Sequence, residues 1–201
     1  MLRSVKALIL AGAVGMGLLA VNAPARADII PQLEFTSPSP VPGGFLWAYD
    51  ATLTAQQFLK SGDFFTVYDF AGLIPLSNSQ PVNWVFSSAN LGLTPGGLTV
   101  VDSPALPNLT WMYTGPDTSN GPTDLGIFSA KSIYEAETLV SYGALGHKWD
   151  IGPNGPRLDH GTLTMNKGTV IGPVVPEPCS MALLGLGAAP LLRLRRRNRK
   201  A

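Results

Sequence analysis

Cysteine is almost absent from this chain: its 201 residues include one, Cys179, close to the C-terminus. The region before it can therefore form neither a disulfide framework nor a thiolate metal site. Histidine is nearly as scarce, with two residues, and charged residues make up only 13% of the sequence. A stable domain in this chain must depend on packing and hydrogen bonds.

Basic residues are also scarce in the middle of the chain, although the whole sequence has a formal net charge of +1. Between Asp28 and Gly172, twelve acids outnumber five bases, so this region carries a charge of −7. An acidic surface repels phosphate groups, which argues against a nucleic-acid partner. The remaining basic residues lie almost entirely at the two ends of the chain.

The N-terminal segment, Met1–Ala27, has the composition of a signal peptide. Two basic residues precede the apolar run Ala7–Val21, and Ala25 and Ala27 form a small-x-small cleavage site. A membrane anchor is the alternative, but the run is shorter than the ~20 residues that a spanning helix needs. We expect a signal helix that is removed by cleavage after Ala27.

The central region, residues 28–172, has the size of one ordinary domain. Apolar and polar residues alternate in short runs between glycine and proline turns, and no helical period persists. The pattern predicts an all-β fold, an antiparallel β-sandwich of about nine strands. The clearest predicted strands are Leu46–Thr54, Phe64–Phe70, Asn83–Ser88, Leu98–Val101, Asn108–Thr114, Leu125–Ser132, Ala136–Ala144 and Gly161–Ile171.

Two segments of this region are less regular. Residues 28–44 are rich in proline and serine and predict an extended lead-in, in which Leu33 and Phe35 can add an edge strand. Residues 55–60 fit either a further strand or one helical turn.

The aromatic residues are predicted to fill a core between two sheets, because they recur at strand period with apolar neighbours. Trp149 is expected in a loop, and Thr110, Met112 and Thr114 on the outward face. An exposed aromatic face that stacks on sugar rings is the alternative. The residues expected to point inward are Trp47, Tyr49, Ala51, Leu53, Trp84, Leu109, Trp111 and Tyr113.

The strongest candidates for chemistry are His147, Asp150, Asp159 and His160, because histidine and aspartate can ligate a metal or form a base and its orienting acid. Their spacing matches no established metal motif. We interpret the segment as a polar loop between strands and keep a hydrolase that uses it as an alternative.

Other polar motifs carry weaker signals. The turn Asp117–Asp124 has the oxygen ligands that Ca²⁺ prefers but not the EF-hand register, and such residues are common in turns. Glu135 and Glu137 are expected on one face of a strand, at a solvated edge. Asn108–Thr110 matches a glycosylation sequon within a predicted strand. We predict no catalytic residue, no metal site and no cofactor.

The C-terminal segment, residues 173–201, combines three features. Pro176, Glu177 and Pro178 form an extended, accessible hinge because proline cannot continue a helix. The apolar run Ser180–Leu192 predicts a membrane helix that is short for a bilayer core of ~30 Å. A basic cluster then stops transfer on the cytoplasmic side, and it contains Arg193, Arg195, Arg196 and Arg197.

This order of motif, apolar run and basic end resembles the PEP-CTERM sorting signal of bacterial secreted proteins. The resemblance implies recognition by an exosortase at Pro176, Glu177 and Pro178, transient insertion in the inner membrane, and loss of the tail. It also implies a Gram-negative bacterium that makes exopolysaccharide or biofilm matrix. Two departures are Cys179, where a small residue such as serine is common, and the interrupting Pro190.

These observations predict an exported, non-enzymatic protein of the cell surface or extracellular matrix. A carbohydrate-binding module for extracellular polysaccharide is the first alternative, and the secreted hydrolase is the second.

Overall fold

The computed structural model describes residues 29–118, 121–152 and 155–176, with the backbone alone for residues 150–160, and it has ten β-strands in these ranges. No helix long and apolar enough to span a bilayer occurs among them. The predicted signal helix and C-terminal membrane helix lie outside the described residues. The strands are β1 (Ile29–Leu33), β2 (Ser39–Val41), β3 (Gly44–Leu53), β4 (Gln57–Phe58), β5 (Phe64–Val67), β6 (Trp84–Ala89), β7 (Asn108–Tyr113), β8 (Thr123–Ser132), β9 (Glu137–Gly152) and β10 (Gly155–Pro173).

The strands form two antiparallel sheets. In the first sheet, β3 pairs with β1 and β2 along one side and with β8 along the other. The second sheet has the order β10-β9-β5-β7-β6, and β4 pairs with β9 next to β5. The described part of the chain is therefore all-β, as predicted.

A cluster of aromatic rings joins the two sheets. The ring of Phe128, on β8 of the first sheet, lies 4.9 Å from those of Phe65 and Trp84 and 5.7 Å from that of Trp111, all on the second sheet. Phe65 and Trp111 stack on each other at 5.1 Å. Edge-to-face and offset rings at these separations attract each other beyond the area that they bury.

The predicted inward-facing residues are confirmed. Every second residue of β3 from Trp47 to Leu53 is at most 1% exposed, and Leu109, Trp111 and Tyr113 of β7 are also buried. One predicted outward residue, Thr110, is also buried, because the connection between β6 and β7 covers the outer face of the second sheet. The alternation of apolar and polar residues therefore identified the face of each strand that points into the core. It could not show that the other face of β7 is covered as well.

Several predicted boundaries change in the structure. Residues 28–44 contain two strands, β1 and β2, rather than one extended lead-in; Leu33 ends β1 while Phe35 lies outside it and is 99% exposed. The alternative that residues 55–60 form a strand is confirmed by the short β4. Leu98–Val101 is not a strand. It lies in the connection between β6 and β7, residues 90–107, which we call the covering connection. There it follows a proline and two glycines and pairs with no strand.

The β8–β9 connection and the last two strands also differ from expectation. Glu135 lies in the connection and Glu137 begins β9, so the two acids do not share a strand face. Trp149 lies on β9 rather than in a loop. The strands β9 and β10 form a long hairpin whose register runs from Gly152 opposite Gly155 to Glu137 opposite Pro173.

We expect Phe128→Ala to destabilise the protein by about 3–5 kcal/mol, the usual cost of removing a buried aromatic ring. Urea unfolding measures this change. The control is Phe35→Ala, which removes the same side chain from an exposed position and should cost less than about 0.5 kcal/mol. Equal losses in the two variants would contradict the assignment of Phe128 to the contact between the sheets.

Candidate functional site

Of the four residues singled out for chemistry, His147 has a defined partner. It lies on β9, opposite Phe58 of β4 and Leu163 of β10. Its Nδ1 is 2.7 Å from Oδ1 of Asp63, and the two side chains are 17% and 1% exposed. The second carboxylate oxygen of Asp63 accepts the Lys60 N–H at 2.8 Å. A buried acid thus orients a partly exposed imidazole across a long sequence separation.

The environment of Asp63 opposes its ionisation. Burial raises the pKa of this carboxyl, while the Lys60 N–H and His147 act in the opposite direction and Asp117 raises it further. The ring of Phe58 lies 5.6 Å from the imidazole and covers one side of the pair. An acid and an oriented imidazole are two parts of a general-base arrangement. Within the described residues, the other ring nitrogen of His147 has no hydrogen-bond partner.

The other three candidates lie outside the residues whose side chains the structure describes. Their backbone belongs to the β9–β10 hairpin, so the interpretation of the segment as a loop between strands is wrong. Asp150 pairs with Arg157, and the register shifts between Arg157 and Thr162, where Asp159 and His160 lie. No cluster of three histidine, cysteine, aspartate or glutamate side chains suited to a metal occurs in the described part of the chain.

The two acids of the predicted turn, Asp117 and Asp124, act on different neighbours. Asp117 acts electrostatically on Asp63, whereas Asp124 lies beside Asp50 of β3, where burial and the Asp124 charge raise the pKa of Asp50. Oδ1 of Asp124 also accepts the N–H of Gly126 at 2.7 Å. These bonds are typical of a turn.

A buried polar network that the sequence did not indicate surrounds Asn108. This side chain is 0% exposed, so the sequon is inaccessible to a glycosylating enzyme. Its Oδ1 accepts the Asp69 N–H at 2.7 Å, and its Nδ2 donates to Asp102 Oδ1 at 2.8 Å and to the Asn90 carbonyl at 3.3 Å. Oδ1 of Asp69 accepts the Ser103 N–H at 2.8 Å. The network fixes both ends of the covering connection, residues 90–107.

The first part of the connection is also held by hydroxyl groups. Those of Thr66 and Tyr68 both donate to the Leu93 carbonyl, at 2.9 and 2.8 Å. Gly92 packs so closely that an added Cβ would lie 2.9 Å from side-chain atoms of both Thr66 and Asn108. Burial raises the pKa of Tyr68. The threonines on the outward faces of β5 and β7 were the feature of the sequence from which this contact could have been predicted.

A shallow cleft of about 350 Å³ lies where this connection meets the base of the β9–β10 hairpin. Its lining is mainly apolar and includes Val101, Leu106, Leu139 and Pro173. Asp69 also lines it, and burial raises the pKa of this carboxyl although the Ser103 N–H lowers it. The cleft therefore has apolar walls and one acid, Asp69, whose Oδ1 already accepts a hydrogen bond. This arrangement is poorly suited to binding a polar ligand.

Three of the four tryptophans are buried and so are not part of a sugar-stacking face, whereas Trp149 on β9 is half-buried. Trp47 and Trp111 are fully buried, and Trp84 is 7% exposed. Four tyrosines, Tyr49, Tyr68, Tyr113 and Tyr142, are buried as well.

Comparison with known proteins adds no functional assignment: the chain matches no protein-family model, no curated protein and no solved structure.

The raised pKa of Asp63 predicts a pH-dependent stability. The folded protein binds a proton there more readily than the unfolded chain, so this stabilisation is complete below the ordinary carboxyl pKa of 3.8 and is lost as pH rises through the raised value. We expect Asp63→Asn, which mimics the protonated acid, to lose less unfolding free energy than the parent as the pH rises from 3.8 through the raised pKa of Asp63.

Urea unfolding at successive pH values measures the slope for both proteins. Glu135→Gln, which neutralises an exposed acid, serves as the control and should follow the parent. Identical slopes in D63N and the parent would contradict the placement of Asp63 in a desolvated site.

We expect Asn108→Ala to loosen the covering connection, because it leaves the Asp69 N–H and Oδ1 of Asp102 without their partner. Each buried group deprived of its bond costs about 1–3 kcal/mol. Hydrogen exchange should rise in residues 90–107, while the exposed Asn90, whose amide donates to the Pro104 carbonyl at 3.0 Å, provides the matched control. Equal exchange in N108A and N90A would show that the buried network does not hold the connection.

Proposed function

We propose that this protein is exported and non-enzymatic, and that an exosortase sorts it to the cell surface or extracellular matrix through its C-terminal signal. Its two packed sheets then form a β-sandwich body that remains after both terminal segments are removed. The proposal rests on the complete pair of terminal signals that flank an acidic body.

The way in which the body ends supports this proposal. Strand β10 ends at Pro173, and the Val174 N–H makes a last backbone bond, 2.8 Å from the Ala136 carbonyl. Val175 is 45% exposed and Pro176 is also exposed, in irregular backbone. The sorting motif therefore begins directly outside the folded body, and a membrane protease could bind it without unfolding a strand.

Charge supports the same orientation. Residues 28–172 carry −7, while eight of the nine basic residues outside this region lie beyond the two apolar runs. Basic clusters remain on the cytoplasmic side of bacterial membranes. The acidic body is thus outside while the apolar run of the tail is transiently in the inner membrane.

The alternatives receive less support from the described residues. Burial of Trp47, Trp84 and Trp111 removes the side chains best suited to stack on polysaccharide. The His147–Asp63 pair supplies an oriented imidazole, but a hydrolase needs a further nucleophile, acid or metal at the same point.

The proposal predicts two mass losses during export. In a host that has an exosortase, the protein recovered from the envelope or medium should lack residues 1–27 and most of the segment after Val175. Replacing Pro176, Glu177 and Pro178 together with alanine should keep the tail attached and the protein in the membrane fraction. Intact-mass spectrometry of each fraction measures both outcomes.

Cys179→Ser is the matched control, because it changes the neighbouring residue and leaves the motif intact. It should be processed like the parent, and a host that lacks the exosortase should retain the tail of every variant. Unchanged secretion and processing after deletion of Pro176–Ala201 would overturn the proposal.

A further inference from the structure

Strand β6 is a free edge of the second sheet. Among the described strands, β7 is its neighbour on one side and no strand pairs with the other side. Tyr113 directs its backbone groups toward the β5 side, where it exchanges bonds with Gly62 and Asp63 at 2.7–2.9 Å. By the alternation of an antiparallel ladder, Met112 and Thr110 direct theirs toward β6.

The same alternation shows which backbone groups of β6 face the open edge of the sheet. Val85, Ser87 and Ala89 use their N–H and C=O groups in the ladder with β7, so those of Trp84, Phe86 and Ser88 point away from the sheet. No hydrogen bond from the described part of the chain reaches these outward groups. The nearest segment, residues 73–78, is separated from Phe86 and Ser88 by a groove of about 300 Å³.

This edge lacks the features with which proteins prevent sheets from associating. Such features include charged side chains, proline, bulges and very short strands. Strand β2 has three residues with Pro40 among them, and β10 carries Lys167 and a register shift. Strand β6 has six residues, WVFSSA, about 20 Å of regular ladder with none of these features.

The segment of the chain that contains β6 is uncharged as well. The 32 residues from Phe70 to Val101 contain no acid, base or histidine. They include four apolar side chains that remain exposed: Leu76, Val82, Val85 and Leu91.

A second copy of the chain is the occupant that this surface fits best. The body carries −7, so most approaches of two copies bring like charges together, whereas the uncharged segment around β6 avoids this repulsion. A partner of opposite charge would instead favour the acidic surfaces. We propose that two copies of this protein associate by antiparallel pairing of their β6 strands.

The pairing is self-complementary about a two-fold axis at Phe86. In this register Phe86 faces Phe86 of the second copy, and Trp84 faces its Ser88, so each outward N–H meets an outward C=O. The two Phe86 rings, each only partly buried in a monomer, become cross-strand neighbours. On the solvent face, Val85 of one copy lies opposite the small Ser87 of the other. The inference does not depend on the sorting proposal.

Analytical ultracentrifugation of the protein as recovered from the cell, between about 1 and about 100 µM, measures the association. We expect a monomer–dimer equilibrium that Ser88→Pro and Val85→Lys each weaken at least about tenfold. Ser88→Pro removes an outward donor and leaves the β6–β7 ladder intact. Val85→Lys places two cations diagonally across the interface, at a position that is 55% exposed in the monomer.

Leu139→Lys is the control, because it adds the same charge at a position on β9 that is 68% exposed. It should associate like the parent. Hydrogen exchange of the unmodified protein supplies a test without mutation: the amides of Trp84, Phe86 and Ser88 should become protected at the higher concentration.

A monomer throughout this range would overturn the proposal. It would also be overturned by a dimer that L139K weakens as much as V85K, or by a dimer in which the three β6 amides exchange as fast as in the monomer.

Discussion

The contact between Phe128 and the rings of Phe65, Trp84 and Trp111 is the interaction on which the rest of the structure depends. No cysteine occurs in the described residues, so no disulfide joins the two sheets there. Each sheet presents one apolar face, and neither face is stable in water without the other. The ring of Phe128 crosses this boundary at 4.9 Å from two rings of the opposite sheet, and so couples the formation of one sheet to that of the other.

Polar groups perform a second structural task, which is to close the outer face of the second sheet. Asn108, Thr66 and Tyr68 are directed away from the aromatic core, yet the connection of residues 90–107 covers them and satisfies their hydrogen bonds. A buried polar group without a partner is costly, so these bonds determine where the connection lies. These hydrogen bonds therefore give Asn108, Thr66 and Tyr68 a structural role.

The sequence predicted features that depend on neighbouring residues, but it did not predict contacts between residues that are far apart in the chain. Alternation along β3 and β7 identified the buried faces from Trp47 to Leu53 and from Leu109 to Tyr113, because side-chain direction in a strand has a fixed period. The bond between His147 and Asp63 joins residues 84 positions apart, and no period records such a contact. Leu98–Val101 looked like a strand by composition, but strand formation requires a neighbour with free backbone groups, and the connection that contains it runs over a face rather than along an edge.

The central place of β5 has a consequence for the order in which the chain acquires structure. Its residues pair with β9, whose partner for Phe64 is Leu145, about eighty positions later. Sheets built from such distant segments close slowly, because much chain must be ordered before the contact forms. In a chain that crosses a membrane from its N-terminus, Phe64–Val67 would emerge long before β9. The side of β5 that pairs with β9 would therefore remain open until the final hairpin arrives, and in that interval the unpaired strand edge is most vulnerable to aggregation.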